Sequence, residues 1–166
     1  EQLLHIGKQR LQESLRNGCT FLEAKSGYGL STKQELRLLE IQHELDHLDG
    51  LPSIHSTWMG AHAVTQEISY EDYTEEILSV QLPNVLDSVL AQSADVFCEP
   101  GWFSIEQSES ILRASRKGGL DLRMHIDEFT NGGGGELASE LKVVTADHAH
   151  HTPLDVRLDM MENGVM

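Results

Sequence analysis

The sequence predicts an α/β protein built on a parallel sheet, and three observations lead to that prediction. Short apolar runs alternate with longer segments of helical periodicity along the 166 residues. Each predicted strand is followed by a predicted helix, which is the arrangement of βα units with parallel strands and right-handed crossovers. No Gly/Ser-rich linker or low-complexity tract divides the chain, so we predict one domain over residues 1–166.

The predicted elements form five βα units preceded by one helix. The strands are predicted from apolar runs bounded by turn-forming residues, at residues 20–24, 53–59, 95–98, 121–126 and 143–146. The helices are predicted at residues 2–16, 31–48, 71–91, 104–117, 136–141 and 153–162. The helix of residues 71–91 contains Leu82-Pro83, where we expect an interruption.

Helix starts are predicted from capping residues. Ser31 with Gln34, and Ser104 with Gln107, match the capping box in which serine and glutamine exchange hydrogen bonds with the backbone. Thr152 precedes a proline and is predicted to cap the last helix.

The composition excludes several classes of protein. A net charge of −15, from 12 Lys and Arg against 27 Asp and Glu, argues against nucleic acids and anionic membranes as partners. Two cysteines cannot form a disulfide framework, and no basic and apolar leader stands at the start; both observations predict a cytoplasmic protein. No apolar run reaches the length of about 18 residues that a membrane helix requires.

One motif in the sequence suggests a zinc protease but is better explained otherwise. His43-Glu44-Leu45-Asp46-His47 matches H-E-x-x-H, in which both histidines bind zinc from one helix face. On a helical projection these histidines lie opposite the apolar stripe of this helix. We therefore predict that they face solvent on an outer helix.

Residues with catalytic potential follow four of the five predicted strands. Tyr28, His62 and His148 each follow a strand, and His125 lies at the end of another, with Glu128 just after it. The carboxyl ends of parallel strands share one edge, where α/β proteins place their active sites. An imidazole there is a good ligand for zinc or iron, and a nearby carboxylate can move a proton for an activated water.

Five short segments form the most specific pattern in the sequence. They are Glu23-Ala-Lys-Ser-Gly-Tyr-Gly-Leu30, Gly60-Ala-His-Ala63, Asp95-Val-Phe-Cys-Glu99, His125-Ile-Asp-Glu-Phe129 and Ala146-Asp-His148. In this order and at similar spacing they resemble the imidazolonepropionase family of the amidohydrolase superfamily, from about Leu11 to Met166. The resemblance implies a TIM (β/α)₈ barrel of the metal-dependent hydrolase type, of which this chain would hold strands two to six. The family's small β-sandwich domain would not be present in this chain.

The resemblance also implies an activity and roles for the strand-end residues. The reaction would be hydrolytic opening of the imidazolone ring of 4-imidazolone-5-propanoate to N-formimino-L-glutamate, in histidine degradation. His125 would ligate one zinc or iron ion, and Glu128 would be the acid/base residue that also contacts substrate. Tyr28 and His62 would bind substrate, and His148 would have a supporting or electrostatic catalytic role. Two alternatives remain. The protein could be another cyclic-amide or deaminating amidohydrolase, or it could be a non-catalytic barrel fragment that binds without turnover.

Part of the family's metal site has no match in this sequence. The family also takes a His-x-His pair from its first strand and an Asp from its eighth, and no His-x-His pair precedes Glu23. At about 30 residues per βα unit the chain holds about five units, whereas a closed barrel needs about 250 residues. We therefore expect these residues alone to be inactive. The open sheet edges predict cover by further segments or by a second copy of the chain, as in a homodimer.

Other reactive residues have structural explanations. Cys98 is predicted to be a small core residue rather than a nucleophile, and Lys25 to be structural rather than a metal-bridging residue. Gly132–Gly135 is predicted to be a turn rather than an anion-binding loop. Two explanations remain open for Asp127, which could orient His125 or cap the loop that follows it.

Overall fold

The computed structural model describes residues 1–166, and its strands and helices alternate as predicted. The strands are β1 (Phe21–Lys25), β2 (Ser53–Ala61), β3 (Ser93–Cys98), β4 (Asp121–Ile126) and β5 (Thr145–His148). The helices are α1 (Gln2–Arg16), α2 (Thr32–Asp46), α3 (Tyr70–Glu76), α4 (Leu82–Ser88), α5 (Ile105–Lys117), α6 (Gly134–Leu141) and α7 (Leu154–Glu162), with a π-helical turn (Ile77–Gln81) between α3 and α4.

The five strands form one parallel sheet in the order β1-β2-β3-β4-β5. The register pairs Lys25 with Thr57, and His125 with both Phe97 and Asp147. Every pair of sequential strands is therefore adjacent in the sheet, which confirms the predicted α/β class. This topology is consistent with the central part of a (β/α) barrel.

The two faces of the sheet differ sharply in polarity. One face carries the core, in which Trp58, Val96 and Met124 are completely buried against the helices. The opposite face is polar, because alternate strand positions point to opposite sides of a sheet. Its side chains are Glu23, Lys25, Thr57, Ser93, Asp95, Arg123, His125, Thr145 and Asp147, and an Arg123–Glu23 ion pair of 3.1 Å lies among them. The polar face leads directly to the carboxyl ends of the strands.

The predicted helix caps are partly correct. Ser104 and Gln107 form both hydrogen bonds of the capping box at the start of α5. Ser31 makes no side-chain cap hydrogen bond at the start of α2, so the capping box predicted for Ser31 and Gln34 is wrong. The Glu35 carboxylate instead accepts hydrogen bonds from the amides of the preceding loop, including that of Gly29 at 2.6 Å.

The start of the last helix also differs from the prediction. Pro153, not Thr152, is the N-cap residue of α7. The Thr152 hydroxyl is buried and donates a 2.6 Å hydrogen bond to the Asp127 carboxylate, so it is not free to cap the helix. The predicted helix of residues 71–91 is interrupted by the π-helical turn that ends just before Leu82. Pro83, in the following turn, has no backbone N–H to donate, which accounts for the interruption.

The H-E-x-x-H motif lies on α2, as predicted, with its histidines exposed to solvent. The His43 and His47 rings are 4.2 Å apart, and His47 Nδ1 lies 2.8 Å from the His43 carbonyl oxygen. Asp46 accepts a hydrogen bond from the amide of Ile54 at the start of β2, so the motif lies at the end of the sheet opposite the strand-end residues. None of the helices combines the length and hydrophobicity needed to cross a bilayer.

Candidate active site

A cavity of 410 Å³ opens at the carboxyl ends of the strands. All five strand-end residues singled out in the sequence lie on its wall, which is formed by Tyr28, Met59, His62, Phe97, Trp102, His125, Glu128, Phe129 and His148. The parallel strands bring these residues together, although Tyr28 and His148 are 120 positions apart in the sequence. The structure therefore supports the prediction that they share one site.

Three histidines form the polar side of this cavity. The ring centroids of His62 and His125 are 4.7 Å apart, and those of His125 and His148 are 5.2 Å apart. His148 Nε2 lies 3.4 Å from Glu128 Oε2. The Tyr28 ring, 6.4 Å from that of His62, completes the row. Such a group can bind polar substrate atoms and move protons within one small volume.

A second part of the wall is aromatic. The Phe97 ring packs against those of Trp102 at 5.2 Å and His62 at 5.9 Å. Phe129 lies 5.6 Å from Trp102 and is largely exposed at the mouth of the cavity. The cavity thus places a flat apolar surface beside its proton-transfer groups, which suits a planar ring carrying polar atoms.

Beneath the histidines lies Asp95, whose side chain is completely buried on the polar face of β3. His125 Nδ1 is 3.0 Å from Asp95 Oδ1, and Lys25 Nζ is 2.6 Å from Asp95 Oδ2. Lys25 also contacts Asp147 at 3.0 Å. The structural role predicted for Lys25 is therefore confirmed, since its ammonium group neutralises two carboxylates.

This network perturbs the ionisation of its members. Burial alone would raise the pKa of Asp95, but the hydrogen bond with His125 and the nearby imidazole of His62 hold that pKa well below its usual range. Burial would lower the pKa of Lys25, yet Asp95 and Asp147 raise it above its usual value. Burial lowers the pKa of His62, which keeps this imidazole neutral near pH 7.

The donor atoms beneath the cavity are suited to a metal ion. Ligand atoms of His62, Asp95 and His125 all lie within 4.8 Å of one another. His62 is 4% exposed, and its Nε2 makes no hydrogen bond, although it lies 3.3 Å from Asp95 Oδ1. Imidazole nitrogen and carboxylate oxygen are ligands that both zinc and iron accept. The site therefore has the chemistry to hold one such cation.

The loop that carries Glu128 is held by a second buried carboxylate. Glu99 is 2% exposed and accepts hydrogen bonds from the amides of Glu128, Phe129 and Thr130 at 3.0–3.1 Å. Each of these bonds to an ionised group is stronger than a neutral one. Glu99 therefore fixes the backbone from which the Glu128 side chain reaches the cavity.

Asp127 caps the loop and does not orient His125. Its buried carboxylate accepts hydrogen bonds from the amides of Gly132, Gly134 and Gly135 and from the Thr152 hydroxyl. The glycine-rich segment is only partly the predicted turn, since Gly134 and Gly135 begin α6. It does surround an anion, but that anion is the protein's own Asp127. This interaction resolves the two explanations that the sequence leaves open.

Cys98 is a core residue, as predicted. Its side chain is 3% exposed, and burial raises the pKa of its thiol to about 11. We expect iodoacetamide at pH 8 to modify the partly exposed Cys19 but not Cys98, because only a thiolate reacts. Peptide mass spectrometry after timed labelling measures both rates. Alkylation of Cys98 as fast as that of Cys19 would contradict this expectation.

Asp95 and Glu99 were not predicted as site residues. Asp95 lies inside a strand, and Glu99, although it follows that strand, binds backbone amides of the loop after β4. Both carboxylates belong to a segment that was recognised, but only as part of a pattern. A signal was present inside the strands: Lys25, Asp95 and Asp147 occupy alternate positions that point to one face. Charged residues in otherwise apolar strands predict a polar interior beneath the site.

Comparison with known proteins gives one consistent result. The chain is 42% identical to the imidazolonepropionase of Caldanaerobacter subterraneus subsp. tengcongensis over 166 residues, which cover 99% of this chain. It is 42% identical over 150 residues, or 89% of the chain, to that of Thermoanaerobacter pseudethanolicus. It is 39% identical over 171 residues, or 100% of the chain, to that of Alkaliphilus metalliredigens. The chain is similar in sequence to the imidazolonepropionases.

The similarity covers nearly the whole chain but only part of each relative. The chain spans 36% to 40% of the length of these three imidazolonepropionases. No family model matches it. The five segments that resemble imidazolonepropionase in sequence contain all five of the strand-end residues on the cavity wall. The resemblance inferred from those segments is confirmed.

Proposed function

We propose that the chain is the central part of an imidazolonepropionase, comprising strands two to six of a TIM (β/α)₈ barrel of the metal-dependent hydrolase type. The complete protein would open the ring of 4-imidazolone-5-propanoate to give N-formimino-L-glutamate in histidine degradation. One observation carries this proposal: the histidines, Tyr28 and Glu128 line a single cavity in a chain 42% identical to a protein of that name. The family's His-x-His pair, its further Asp and its β-sandwich domain would be supplied outside these 166 residues.

The cavity wall suits the proposed substrate. The aromatic rings of Phe97 and Trp102 provide a surface on which a planar imidazolone ring can pack. Tyr28 and the neutral imidazole of His62 can form hydrogen bonds with its ring nitrogen and oxygen atoms. These contacts would hold the carbonyl carbon of the substrate close to Glu128. Holding the reactants in this orientation makes the attack by water effectively unimolecular and so lowers its entropic cost.

The reaction adds water across a cyclic amide bond. A bond forms between the water oxygen and the carbonyl carbon, and the carbon–nitrogen bond of the ring breaks. Glu128 takes a proton from the water and delivers it to the departing nitrogen. His148, 3.4 Å from the Glu128 carboxylate, would support this transfer.

His125 would hold one zinc or iron ion in this site. When bound, the ion supplies Lewis-acid polarisation of the carbonyl and lowers the pKa of a water molecule. The net charge of −15 is consistent with a small-molecule enzyme that binds neither nucleic acid nor membrane. We further propose a cytoplasmic location, and a homodimer as the assembly.

The test uses the complete polypeptide that contains these residues, purified with its metal. We expect 4-imidazolone-5-propanoate to disappear and N-formimino-L-glutamate to form in equal amounts, as followed by mass spectrometry. A chelator should stop turnover, and zinc or iron should restore it. A fully metallated protein that leaves this compound unchanged would rule out the proposal; hydrolysis of another cyclic amide would then favour a related amidohydrolase. Binding of the compound without turnover would indicate the non-catalytic alternative.

A further inference from the structure

Asp95 contacts two residues with different proposed roles. His125 is the proposed metal ligand, and His62 is a proposed substrate-binding residue. The same oxygen atom, Asp95 Oδ1, lies 3.0 Å from His125 Nδ1 and 3.3 Å from His62 Nε2. The other oxygen, Oδ2, is occupied by Lys25. The metal side and the substrate side of the cavity thus meet at one buried carboxylate.

The contact with His125 determines which ring nitrogen of this residue carries the proton. An ionised carboxylate can only accept hydrogen bonds. Asp95 Oδ1 lies 3.0 Å from Nδ1 and forms a hydrogen bond, whereas Asp147 Oδ2 lies 3.5 Å from Nε2 and forms none, so we place the proton of a neutral His125 on Nδ1. The Nε2 atom, which faces Asp147 Oδ2 at 3.5 Å, then carries the lone pair that a metal ligand requires. Histidines that bind metals usually donate their other ring N–H to a carboxylate or carbonyl oxygen. Asp95 supplies that acceptor here.

The surroundings of Asp95 are those of a fixed rather than a mobile group. The residue lies in the middle of β3, paired with Arg123 of β4 across the sheet, and has no solvent exposure. Transferring a carboxylate into such a place costs several kcal/mol unless it is paired. Lys25 provides the pairing and is itself anchored at 3.0 Å by Asp147. The position of the carboxylate is therefore determined by the strands β1, β3 and β5 together.

We infer that Asp95 is a positioning residue, which holds His125 in its Nδ1–H tautomer and orients His62 toward the same cavity. This inference rests on the proposed function, because it gives His125 and His62 the roles assigned there. Asp95 itself need not touch substrate or metal. Loss of its charge would disturb both histidines at once, because Asp95 Oδ1 lies close to a ring nitrogen of each.

The test replaces Asp95 in the complete protein by the isosteric asparagine. In the metal-free wild-type protein at pH 8, imidazole ¹⁵N NMR should show His125 as the Nδ1–H tautomer. In Asp95→Asn we expect a mixture of tautomers and a metal dissociation constant raised by about 10- to 100-fold. Glu99→Gln is the matched control, since it also removes a buried carboxylate but should leave the His125 tautomer unchanged.

A second variant covers the case in which Asp95→Asn fails to fold because Lys25 is left buried without its partner. Lys25→Met/Asp95→Asn removes both charges and should show the same change of tautomer and metal affinity. An unchanged tautomer and an unchanged dissociation constant in the folded variant would overturn the inference, whatever the substrate. A wild-type protein with the expected tautomer and metal but no ring-opening activity would instead contradict the proposed function alone.

Discussion

Replacement of Glu128 by glutamine in the complete protein is expected to lower kcat by about a hundredfold to ten-thousandfold, the usual contribution of a general acid/base residue. Glutamine has nearly the shape of glutamate but cannot take a proton from water or deliver one to the departing nitrogen. The backbone of residue 128 should stay in place, because Glu99 holds its amide at 3.0 Å. Steady-state kinetics and metal analysis of the same samples provide the measurement.

The metal content decides what such a loss means. We expect Glu128→Gln to bind as much metal as the wild-type protein, because His125 is the proposed ligand and Glu128 does not belong to the group of possible ligand atoms beneath the cavity. Loss of the metal would show that Glu128 is a ligand. An unchanged kcat would show that another group transfers the proton. Glu136→Gln is the control, since this exposed glutamate lies nearby in the first turn of α6.

Replacement of Asp127 by alanine is expected to lower the free energy of unfolding by about 4 kcal/mol, since buried donors left unsatisfied cost about 1–3 kcal/mol each. The change removes the acceptor of three glycine amides and of the Thr152 hydroxyl. These donors lie where α6 and α7 begin, so water cannot replace the carboxylate without opening the loop. Urea denaturation of the complete protein, followed by circular dichroism, measures the difference.

Two further variants make this stability prediction specific. Asp127→Asn keeps one carbonyl oxygen as an acceptor and should cost less than the alanine variant. Asp87→Ala removes an exposed aspartate from α4 and should change the free energy of unfolding by no more than about 0.5 kcal/mol. A loss below about 1 kcal/mol in Asp127→Ala, less than one unsatisfied buried donor should cost, would mean that the loop does not depend on this carboxylate.

The fold was predictable because its elements follow local rules. Strand segments and helical segments alternate along the chain, so each strand was located within two residues of its position in the structure. Capping was less predictable, because it depends on competition between side chains that are distant in sequence. Ser104 caps its helix as predicted, whereas Thr152 is drawn away by Asp127, 25 residues earlier.

Part of the candidate site could be predicted because side chains at the carboxyl ends of parallel strands lie at one edge of the sheet. His125 and Glu128 could be recognised from their position after a strand, together with the resemblance of their segment to a known family. The Asp95–Lys25 contact could not be derived from strand ends, since it joins residues 70 positions apart inside the sheet. Its detection requires the register of β1 against β3, which depends on packing of the whole sheet.

The order of strands in the sheet has a consequence for how the protein is made. Each strand pairs only with strands that are its neighbours in the chain, so every new pairing closes a short loop. During synthesis, a βα unit leaving the ribosome finds its docking edge already formed by the preceding unit. The growing sheet always ends in one unpaired strand, and that strand is the template for the next. We expect assembly to be vectorial, with β1 and β2 protected from hydrogen exchange before β5 in nascent chains stalled at increasing length.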